Sequence, residues 1–380
     1  MPNNKTLPNY APGLEGVIAG VSAISKVDPA GDELLYYGYK VSQLCERSSF
    51  EEVCYLLLNE GRLPDKKDLE NFRGKMSSER NVPAEITDYL CKMPKEAHYM
   101  DILRSAVSLF AHFDKQTEDN SKAAELAKSI RLLAKVPTVL AARVRVLRGN
   151  KPVSPHQSLG HAANFLYMVN GEEPAPDFAK ALDVSLICYA EHGFNASTFT
   201  ARVAASTLTD MHSSIVGAIG ALKGPLHGGA NEKAMYMLRE IGDPAKAEKY
   251  IRDKLAKKEK IMGFGHRVYK KKDSRAPIVK KYALKLAEKS GEKKWHEMSD
   301  IIERVLMAEK KLFPNVDFPA AVLYYLLGLP IEVDTPLFVV SRISGWCAHV
   351  MEQRADNKLI RPDQHYTGPE AREYISIDKR

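Results

Sequence analysis

Two histidines lie in glycine-containing turns, a setting that helix packing alone does not require. His227 is followed by Gly228 and Gly229, and His266 follows Gly265, so the backbone of both turns can approach a ligand closely. His227 also precedes a predicted helix, whose macrodipole disfavours a cationic imidazole and favours a neutral hydrogen-bond donor. Each histidine by itself has a plainer interpretation as a loop, capping or core residue.

Two further segments place polar side chains beside strongly apolar ones. In the segment 314–319, Asp317 directly precedes an apolar helix, where an aspartate is most often the N-cap. Its functional interpretation is a general base in an apolar setting, because desolvation raises the basicity of a carboxylate. The turn 191–195 contains His192 and Asn195, and helix C-cap chemistry would also account for it.

Lysines cluster at 254–260 and 270–272, on either side of the glycine-containing loop 261–265. Most such runs are simply the solvated face of surface helices. Glycines beside cations nevertheless suit a ligand that carries phosphate or carboxylate groups. A lone GxG is not a dinucleotide-binding fingerprint, because the third glycine and a preceding strand are absent.

Most of the chain has the periodicity of α-helices. Apolar side chains recur at three- and four-residue steps in 300–313. Ser49 and Glu52 fit a capping box, and the pair Thr335 and Pro336 predicts a further helix start. Helices are expected over roughly 48–58, 66–77, 99–114, 120–134, 136–148, 179–190, 196–220, 231–240, 245–257 and 335–353.

Alternating apolar patterns are scarce, so the predicted fold class is mostly α. The clearest alternation lies in 16–21 and 33–37, which are expected to pair as a small N-terminal β-ribbon. No repeat of 20 to 50 residues is apparent, which excludes a solenoid.

The composition is that of a soluble globular chain of about two domains, with 380 residues, 44% of them apolar and 27% charged. It excludes a disordered, collagen-like or disulfide-stapled protein. Lys plus Arg number 55 against 48 Asp plus Glu, a net charge of +7. This mild surplus allows anionic partners without indicating nucleic acid.

The five cysteines are scattered and form no CxxC pair, so neither a disulfide framework nor a zinc ribbon is expected. Reduced thiols and an N-terminus without signal-peptide or transit-peptide features predict a cytoplasmic location. The most apolar stretch, 318–333, is shorter than the ~20 residues of a membrane span, so no membrane partner is expected.

Taken together and in this order, the segments resemble the citrate synthase family. The resemblance extends over nearly the whole chain, and its most specific part is the succession of HGG, GFGH and NVD. The matching signatures are EHGFNAST (191–198), GPLHGGANE (224–232), IMGFGHRVYKKKDSRA (261–276), PNVDFPAAVLY (314–324), VSR (340–342) and IRP (360–362), with GLEGVIAG (13–20), KVD (26–28) and LLYYGY (34–39) near the start.

The resemblance implies a citrate-synthase-like, two-domain helical fold. Residues 1–229 and 322–380 would form a large domain that also dimerises, and residues 230–321 a small domain that closes over the active-site cleft. Closure would exclude water and build the acyl-CoA site only after the first substrate binds.

The family condenses acetyl-CoA with oxaloacetate and hydrolyses the thioester, with no metal and no tightly bound cofactor. By resemblance, Asp317 matches the general base that removes the methyl proton. His227 matches the donor to the thioester oxygen, where the negative charge of the enolate develops. His266 matches the donor to the oxaloacetate carbonyl.

The substrate contacts are likewise implied by resemblance. Arg275 and Arg342 match the guanidinium groups that bind the two carboxylates, and Arg361 matches one contributed by the partner subunit of a homodimer. His192 matches a further substrate contact, and Asn195 is a weaker candidate in the same turn.

The CoA moiety of acetyl-CoA would run along the 261–265 loop and near Asn315. The expected contacts are Met262, Gly263, Phe264, Gly265 and Asn315, with the neighbouring lysines facing the phosphates. Ser274 departs from the family pattern, because many relatives have proline there. Serine lacks the fixed φ of proline, so a looser approach to Arg275 is expected.

The nearest alternative is a 2-methylcitrate synthase, which would use propionyl-CoA with the same catalytic residues. A basic helical protein that binds nucleic acid or an acidic partner is more remote, since no nucleic-acid motif is found. A metalloenzyme is not expected, because the eleven histidines form no HExxH or HxH pair.

Overall fold

The computed structural model describes residues 10–28, 33–266 and 268–380. Residues 1–9 of the predicted large domain and Arg267 of the 261–276 signature therefore lie outside the described residues. Within the described ranges, sixteen α-helices follow in chain order: α1 Val41–Arg47, α2 Phe50–Leu58, α3 Lys66–Ser78, α4 Ala84–Lys92, α5 Tyr99–Phe113, α6 Lys122–Leu147, α7 His161–Asn170, α8 Pro176–Tyr189, α9 Ala196–Ser206, α10 Met211–Lys223, α11 Ala230–Ile241, α12 Pro244–Ala256, α13 Ala276–Ser290, α14 Lys294–Lys310, α15 Asp317–Leu326 and α16 Asp334–Ala355.

The predicted fold class is confirmed, since the only sheet in these ranges is small. Its strands are β1 (Ser25–Val27), β2 (Leu34–Tyr36) and β3 (Tyr39–Lys40), paired antiparallel in that order. None of the described helices combines the length and apolar character that a membrane span requires.

The prediction of a strand at 16–21 is wrong, whereas the strand within 33–37 is confirmed as β2. The side chains of Ile18 and Val21 are 88% and 84% exposed, so the alternation there packs on no core of this chain. β2 pairs instead with β1, Ser25 lying opposite Tyr36.

Two predicted helix boundaries are also wrong. The expected break at 135 is absent, because α6 continues through Pro137. The α6 residues from Val136 to Val144 are buried on all sides of the helix. Packing thus outweighs the local cost of the proline. Conversely, the expected helix 196–220 is two helices, because Leu208 adopts a φ of +66° and Asp210 caps α10. Four helices, α1, α4, α7 and α13, were not predicted.

The helix-start predictions have mixed outcomes. The Ser49–Glu52 capping box is confirmed at the start of α2. Helix α16 begins at Asp334 with Val333 at the N-cap position, so the prediction of Thr335 as the cap is wrong. The backbone N–H of Thr335 donates instead to a carboxylate oxygen of Glu232 (3.2 Å).

Helix α16 runs through the core and packs against α2, α6, α8 and α9. The turn that follows α8 lies beside it, and helices α11 to α15 pack mainly on one another. The site residues therefore come from α16, the end of α8 and the loops around α11, α13 and α15.

Candidate active site

His227 lies in the turn between α10 and α11 and contacts the first turn of α9. The backbone N–H of Ser197 donates to its Nε2 (3.2 Å), so the imidazole proton sits on Nδ1. Burial, and secondarily the charge of Arg342, lowers the pKa of His227 to about 4. This histidine is therefore a neutral hydrogen-bond donor through Nδ1, held in place by the start of a neighbouring helix.

His266 is a neutral donor of the opposite tautomer. Its Nδ1 accepts hydrogen bonds from the backbone N–H groups of Val268 (3.0 Å) and Tyr269 (3.1 Å), so the proton sits on Nε2. Burial, followed by the charge of Arg275, lowers the pKa of His266 to about 4.

Backbone hydrogen bonds join the loop that carries His266 to the segment that carries Asp317. Phe264 forms an isolated antiparallel bridge with Pro314, and the backbone N–H of Asn315 donates to the carbonyl of Gly263 (2.9 Å). Gly263 has a φ of +83°, and a Cβ there would lie 2.9 Å from the Cβ of Phe318. Only glycine fits at this position.

Asp317 is the first residue of α15 and does not act as its N-cap, a position taken by Val316. Its Oδ1 accepts a hydrogen bond from the hydroxyl of Tyr189 (2.7 Å). Burial raises the pKa of Asp317, opposed by the Tyr189 hydrogen bond and by the charge of Arg275. A carboxylate with a raised pKa is suited to general-base chemistry, whereas the capping interpretation is wrong.

His192 completes a cluster of rings with His266 and Tyr269. Its Nε2 lies 3.0 Å from the Tyr269 hydroxyl, and its ring centroid lies 5.2 Å from that of His266. Burial lowers the pKa of His192 well below its ordinary value, helped by the charge of Arg275. Sequence reasoning missed Tyr269 and Tyr189, although both lie within or directly beside quoted signatures.

Arg342 is a buried cation on α16, with a side chain that is 1% exposed. Its Nε donates to the carbonyl of Tyr189 (2.6 Å), and its guanidinium lies 4.5 Å from the ring of Phe338. Across the described part of the chain, no carboxylate pairs with it at contact distance, and Glu191 acts only at longer range. Burial lowers the pKa of Arg342 to about 10, as expected for a site that awaits an anion.

Arg275, in contrast, already has a carboxylate partner. Its Nε and Nη2 donate to the two oxygens of Asp273 at 2.9 and 2.8 Å, and its backbone N–H donates to the same carboxylate (3.1 Å). These bonds fix the approach to Arg275 although Ser274 replaces proline. One edge of the predicted carboxylate-binding guanidinium is thus committed to the protein.

Two predicted substrate contacts lie elsewhere or have other partners. Arg361 is 74% exposed in the segment after α16 and pairs with Asp363 (3.1 Å). Asn195 caps α9, accepting from the backbone N–H of Thr198 (3.1 Å) and the hydroxyl of Ser197 (2.8 Å). Within the chain, Arg361 therefore does not reach the cluster, and the Asn195 side chain has a structural role.

A cavity of about 420 Å³ brings the predicted CoA contacts together. Four of the five line it. The fifth, Gly265, is held beside it because the side-chain amide of Asn315, one of the lining residues, donates to the Gly265 carbonyl (2.9 Å). Sequence reasoning left open which lysines lie there. The lining includes Met262, Gly263, Phe264 and Asn315, together with Lys258, Lys260, Lys310 and Glu259.

The buried histidines predict a pH-dependent stability. His161, His227 and His266 have pKa values near 4, against 6.5 for the ordinary side chain, so the unfolded state binds more protons between these limits. The free energy of unfolding is expected to fall as the pH drops from about 6.5 to about 4, by up to ~3 kcal/mol per histidine.

Urea unfolding at pH 7 and pH 4.5 measures this loss. In His227→Gln the loss is expected to be smaller by one histidine's share, and the exposed His365→Gln is the matched control. An equal loss in both variants would contradict a depressed pKa of His227.

Comparisons with known proteins identify relatives of this chain. The family model "Citrate synthase, C-terminal domain" matches residues 13–363. The chain is 50% identical over 369 residues to citrate synthase 2 of Bacillus subtilis, covering 97% of this chain and 98% of the relative. It is 46% identical over 365 residues to 2-methylcitrate synthase of Mycobacterium tuberculosis, covering 96% and 92%.

A solved structure is similar over almost the whole chain. It is the ternary complex of citrate synthase from Thermoplasma acidophilum with carboxymethyl coenzyme A and oxaloacetate. The TM-score is 0.91 at 32% identity, covering 97% of this chain and 99% of that one.

Proposed function

The chain belongs to the citrate synthase family, whose members are enzymes that transfer an acyl group and form a carbon–carbon bond, and we propose that it condenses acetyl-CoA with oxaloacetate and water to give citrate and CoA. One observation carries the proposal. A carboxylate with a raised pKa, Asp317, shares its electrostatic surroundings with two histidines held neutral, because Arg342 acts on His227 and Asp317, and Arg275 acts on His266 and Asp317. Environments that separate pKa values in this way assign the base and the donors.

The first step is proton removal from the acyl thioester. The Asp317 carboxylate takes a proton from the carbon next to the thioester carbonyl, and the negative charge moves onto the carbonyl oxygen. The Nδ1–H of His227 donates to that oxygen, and as a preorganised donor it stabilises the charge where it develops. The electron pair of the broken C–H bond then becomes the nucleophile.

The second step joins the two substrates. The nucleophilic carbon attacks the ketone of oxaloacetate, and the Nε2–H of His266 donates to the ketone oxygen as it becomes an alkoxide. Arg342 and the free edge of Arg275 bind the substrate carboxylates, with His192 alongside. Water then hydrolyses the thioester and releases CoA. No metal ion and no tightly bound cofactor takes part in these proposed steps.

The proposal includes a homodimer in which Arg361 reaches the partner's site. Its support is that Arg361 is exposed on the segment after α16, where it does not reach the cluster of its own chain. We also propose that residues 230–321 close over residues 1–229 and 322–380. The support is that α11 to α14 pack mainly on one another and on α15, the helix within which the proposed boundary at 321 falls. A cytoplasmic location remains part of the proposal.

The charge distribution supports acyl-CoA binding at the 420 Å³ cavity. Residues 230–321 contain 23 Lys and Arg against 14 Asp and Glu, so this segment carries more than the whole net charge of +7. Lys258, Lys260 and Lys310 are exposed at the cavity, and we propose that they bind the CoA phosphates. Exposed cations of this kind attract an anionic ligand in a salt-dependent way.

Alanine at these three lysines is expected to raise KM for acetyl-CoA roughly tenfold, because about 0.5 kcal/mol from each sums to about 1.5 kcal/mol, close to the ~1.4 kcal/mol of a tenfold change. Turnover and KM for oxaloacetate should stay near wild type. The matched control is alanine at Lys66, Lys67 and Lys75 on α3, which removes the same charge elsewhere. Equal acetyl-CoA KM values in the two triple variants would exclude these lysines from phosphate binding.

A 2-methylcitrate synthase is the second candidate, favoured by the 46% identity to the mycobacterial enzyme. One methylene group in a hydrophobic pocket is worth only about 1–3 kcal/mol of discrimination, so the shared catalytic residues fit both substrates. The deciding measurement is kcat/KM for acetyl-CoA and propionyl-CoA with oxaloacetate. A preference for propionyl-CoA of roughly tenfold, about 1.4 kcal/mol, would replace the first proposal by the second.

A further inference from the structure

The side chain of Asp273 is buried, 1% exposed, between Arg275 and the start of α15. Its Oδ1 accepts from the backbone N–H (3.1 Å) and Nε (2.9 Å) of Arg275. Its Oδ2 accepts from Nη2 of Arg275 (2.8 Å) and from the backbone N–H of Val316 (3.0 Å). One carboxylate thus joins a guanidinium to the residue directly before Asp317.

These four bonds make the three groups mechanically one unit. Burial raises the pKa of Asp273, but the Arg275 guanidinium outweighs it and holds that pKa below the ordinary value, so the carboxylate stays charged. Charge-assisted hydrogen bonds are shorter and stronger than neutral ones. A displacement of the guanidinium is therefore passed through Asp273 to the N–H of Val316.

The other end of the unit is the proposed base. Val316 holds the N-cap position of α15, and Asp317 follows as the first helical residue. The Asp317 carboxylate accepts a hydrogen bond from the hydroxyl of Tyr189 (2.7 Å). A small movement at Val316 therefore changes the distance between the Asp317 oxygens and a bound acyl group, and a misplacement of about 1 Å can cost a rate factor of about 100.

We propose that Asp273 is a positioning residue that couples oxaloacetate binding at Arg275 to the placement of Asp317. The inference rests on the proposed function and adds a physical reason for ordered action: the oxaloacetate-bound guanidinium locks Asp273, and Asp273 locks the start of α15. These bonds already exist without oxaloacetate, and a substrate carboxylate on the free edge of Arg275 would restrain the guanidinium further, and with it the start of α15.

A second effect of Asp273 is electrostatic. Burial is the main cause that raises the pKa of Asp317, and the negative charge of Asp273 raises it further. Removing that charge would lower the pKa of the base, and the acid limb of the pH profile of kcat would move to lower pH. A purely structural role for Asp273 would not move this limb.

Two variants separate the two effects. Asp273→Asn removes the charge and turns an N–H donor towards Arg275 or Val316. Val316→Pro deletes the N–H that Asp273 accepts and exchanges the buried Val316 side chain for a proline ring, while the charge of Asp273 stays; the φ of −60° at Val316 suits proline. The matched control is Lys66→Pro, which places proline at the first position of α3, far from the site.

For Val316→Pro, kcat is expected to fall roughly 10- to 100-fold. The oxaloacetate Kd, measured by calorimetry, should stay within about twofold of wild type. The acid limb of the pH profile of kcat should not move. For Asp273→Asn, kcat is expected to fall as far, with a weaker oxaloacetate Kd and an acid limb at lower pH. Lys66→Pro should match wild type in all three. Either variant suffices if the other loses its native circular dichroism.

Wild-type kcat in folded Val316→Pro, or an unmoved acid limb in folded Asp273→Asn, would overturn the coupling. These results would leave the proposed function intact. A wild-type enzyme that forms no product from either acyl-CoA would overturn the proposed function and the coupling with it.

Discussion

Asp317→Asn is expected to lower kcat by about 10³-fold or more with either acyl-CoA, since a positioned general base contributes about 10²–10⁴-fold. Asparagine has the same shape, and its side-chain oxygen can still accept the hydrogen bond that the Tyr189 hydroxyl donates to Asp317 (2.7 Å). It cannot take a proton from carbon. Oxaloacetate affinity should stay within about twofold, because the arginines proposed to bind its carboxylates are unchanged.

Thiol release from acyl-CoA measures the loss, and calorimetric titration measures oxaloacetate binding. Asp334→Asn is the matched control, because Asp334 is also a buried first residue of a helix. Burial raises the pKa of Asp334 well above its ordinary value, so asparagine mimics a carboxyl that is already protonated. Near-normal turnover in Asp317→Asn would remove Asp317 from the role of base.

Arg342→Leu is expected to weaken oxaloacetate binding by roughly 30- to 5,000-fold, since losing one partner of a buried charge pair costs about 2–5 kcal/mol. The ligand-free protein should not lose stability, because among the described residues Arg342 donates only to the carbonyl of Tyr189, and burial already disfavours its charge. Replacing a buried, uncompensated cation by an apolar side chain is often neutral or stabilising. The variant thus separates binding from folding.

Thermal unfolding with and without oxaloacetate tests both halves of this expectation. The ligand-free Tm should be unchanged or higher, and the upward shift caused by oxaloacetate should disappear. Arg143→Leu is the matched control, because Arg143 is equally buried but donates to the carbonyls of Leu90 and Met93. It should lower the ligand-free Tm and keep the shift. An unchanged oxaloacetate Kd in Arg342→Leu would exclude Arg342 from carboxylate binding.

Local signals made part of the fold predictable. The Ser49–Glu52 capping box predicted the start of α2, because both bonds lie within four residues. The break expected at 135 is absent, and α6 continues through Pro137, since the cost of that proline is local whereas the packing that offsets it comes from distant helices. The apolar alternation at 16–21 carried no information about a pairing strand, and β1 took that place.

The site was predictable as a set of motifs but not as a network. The positions of His227, His266 and Asp317 came from their signatures, whereas the pairing of Asp273 with Val316 joins residues 43 positions apart. Tautomers could not be read from the sequence either, because they depend on which backbone N–H groups face each ring. Long-range hydrogen bonds leave no trace in residue spacing.

The antiparallel bridge between Phe264 and Pro314 limits how this site can change its length. An insertion in the 261–265 loop would slip the register that pairs Gly263 with Asn315, and Asp317 would be carried along with its helix. The loop is therefore free to exchange side chains on its cavity face but not to gain or lose residues. A change of acyl-CoA preference within this scaffold must come from substitutions, because a change in length would displace Asp317, the proposed base.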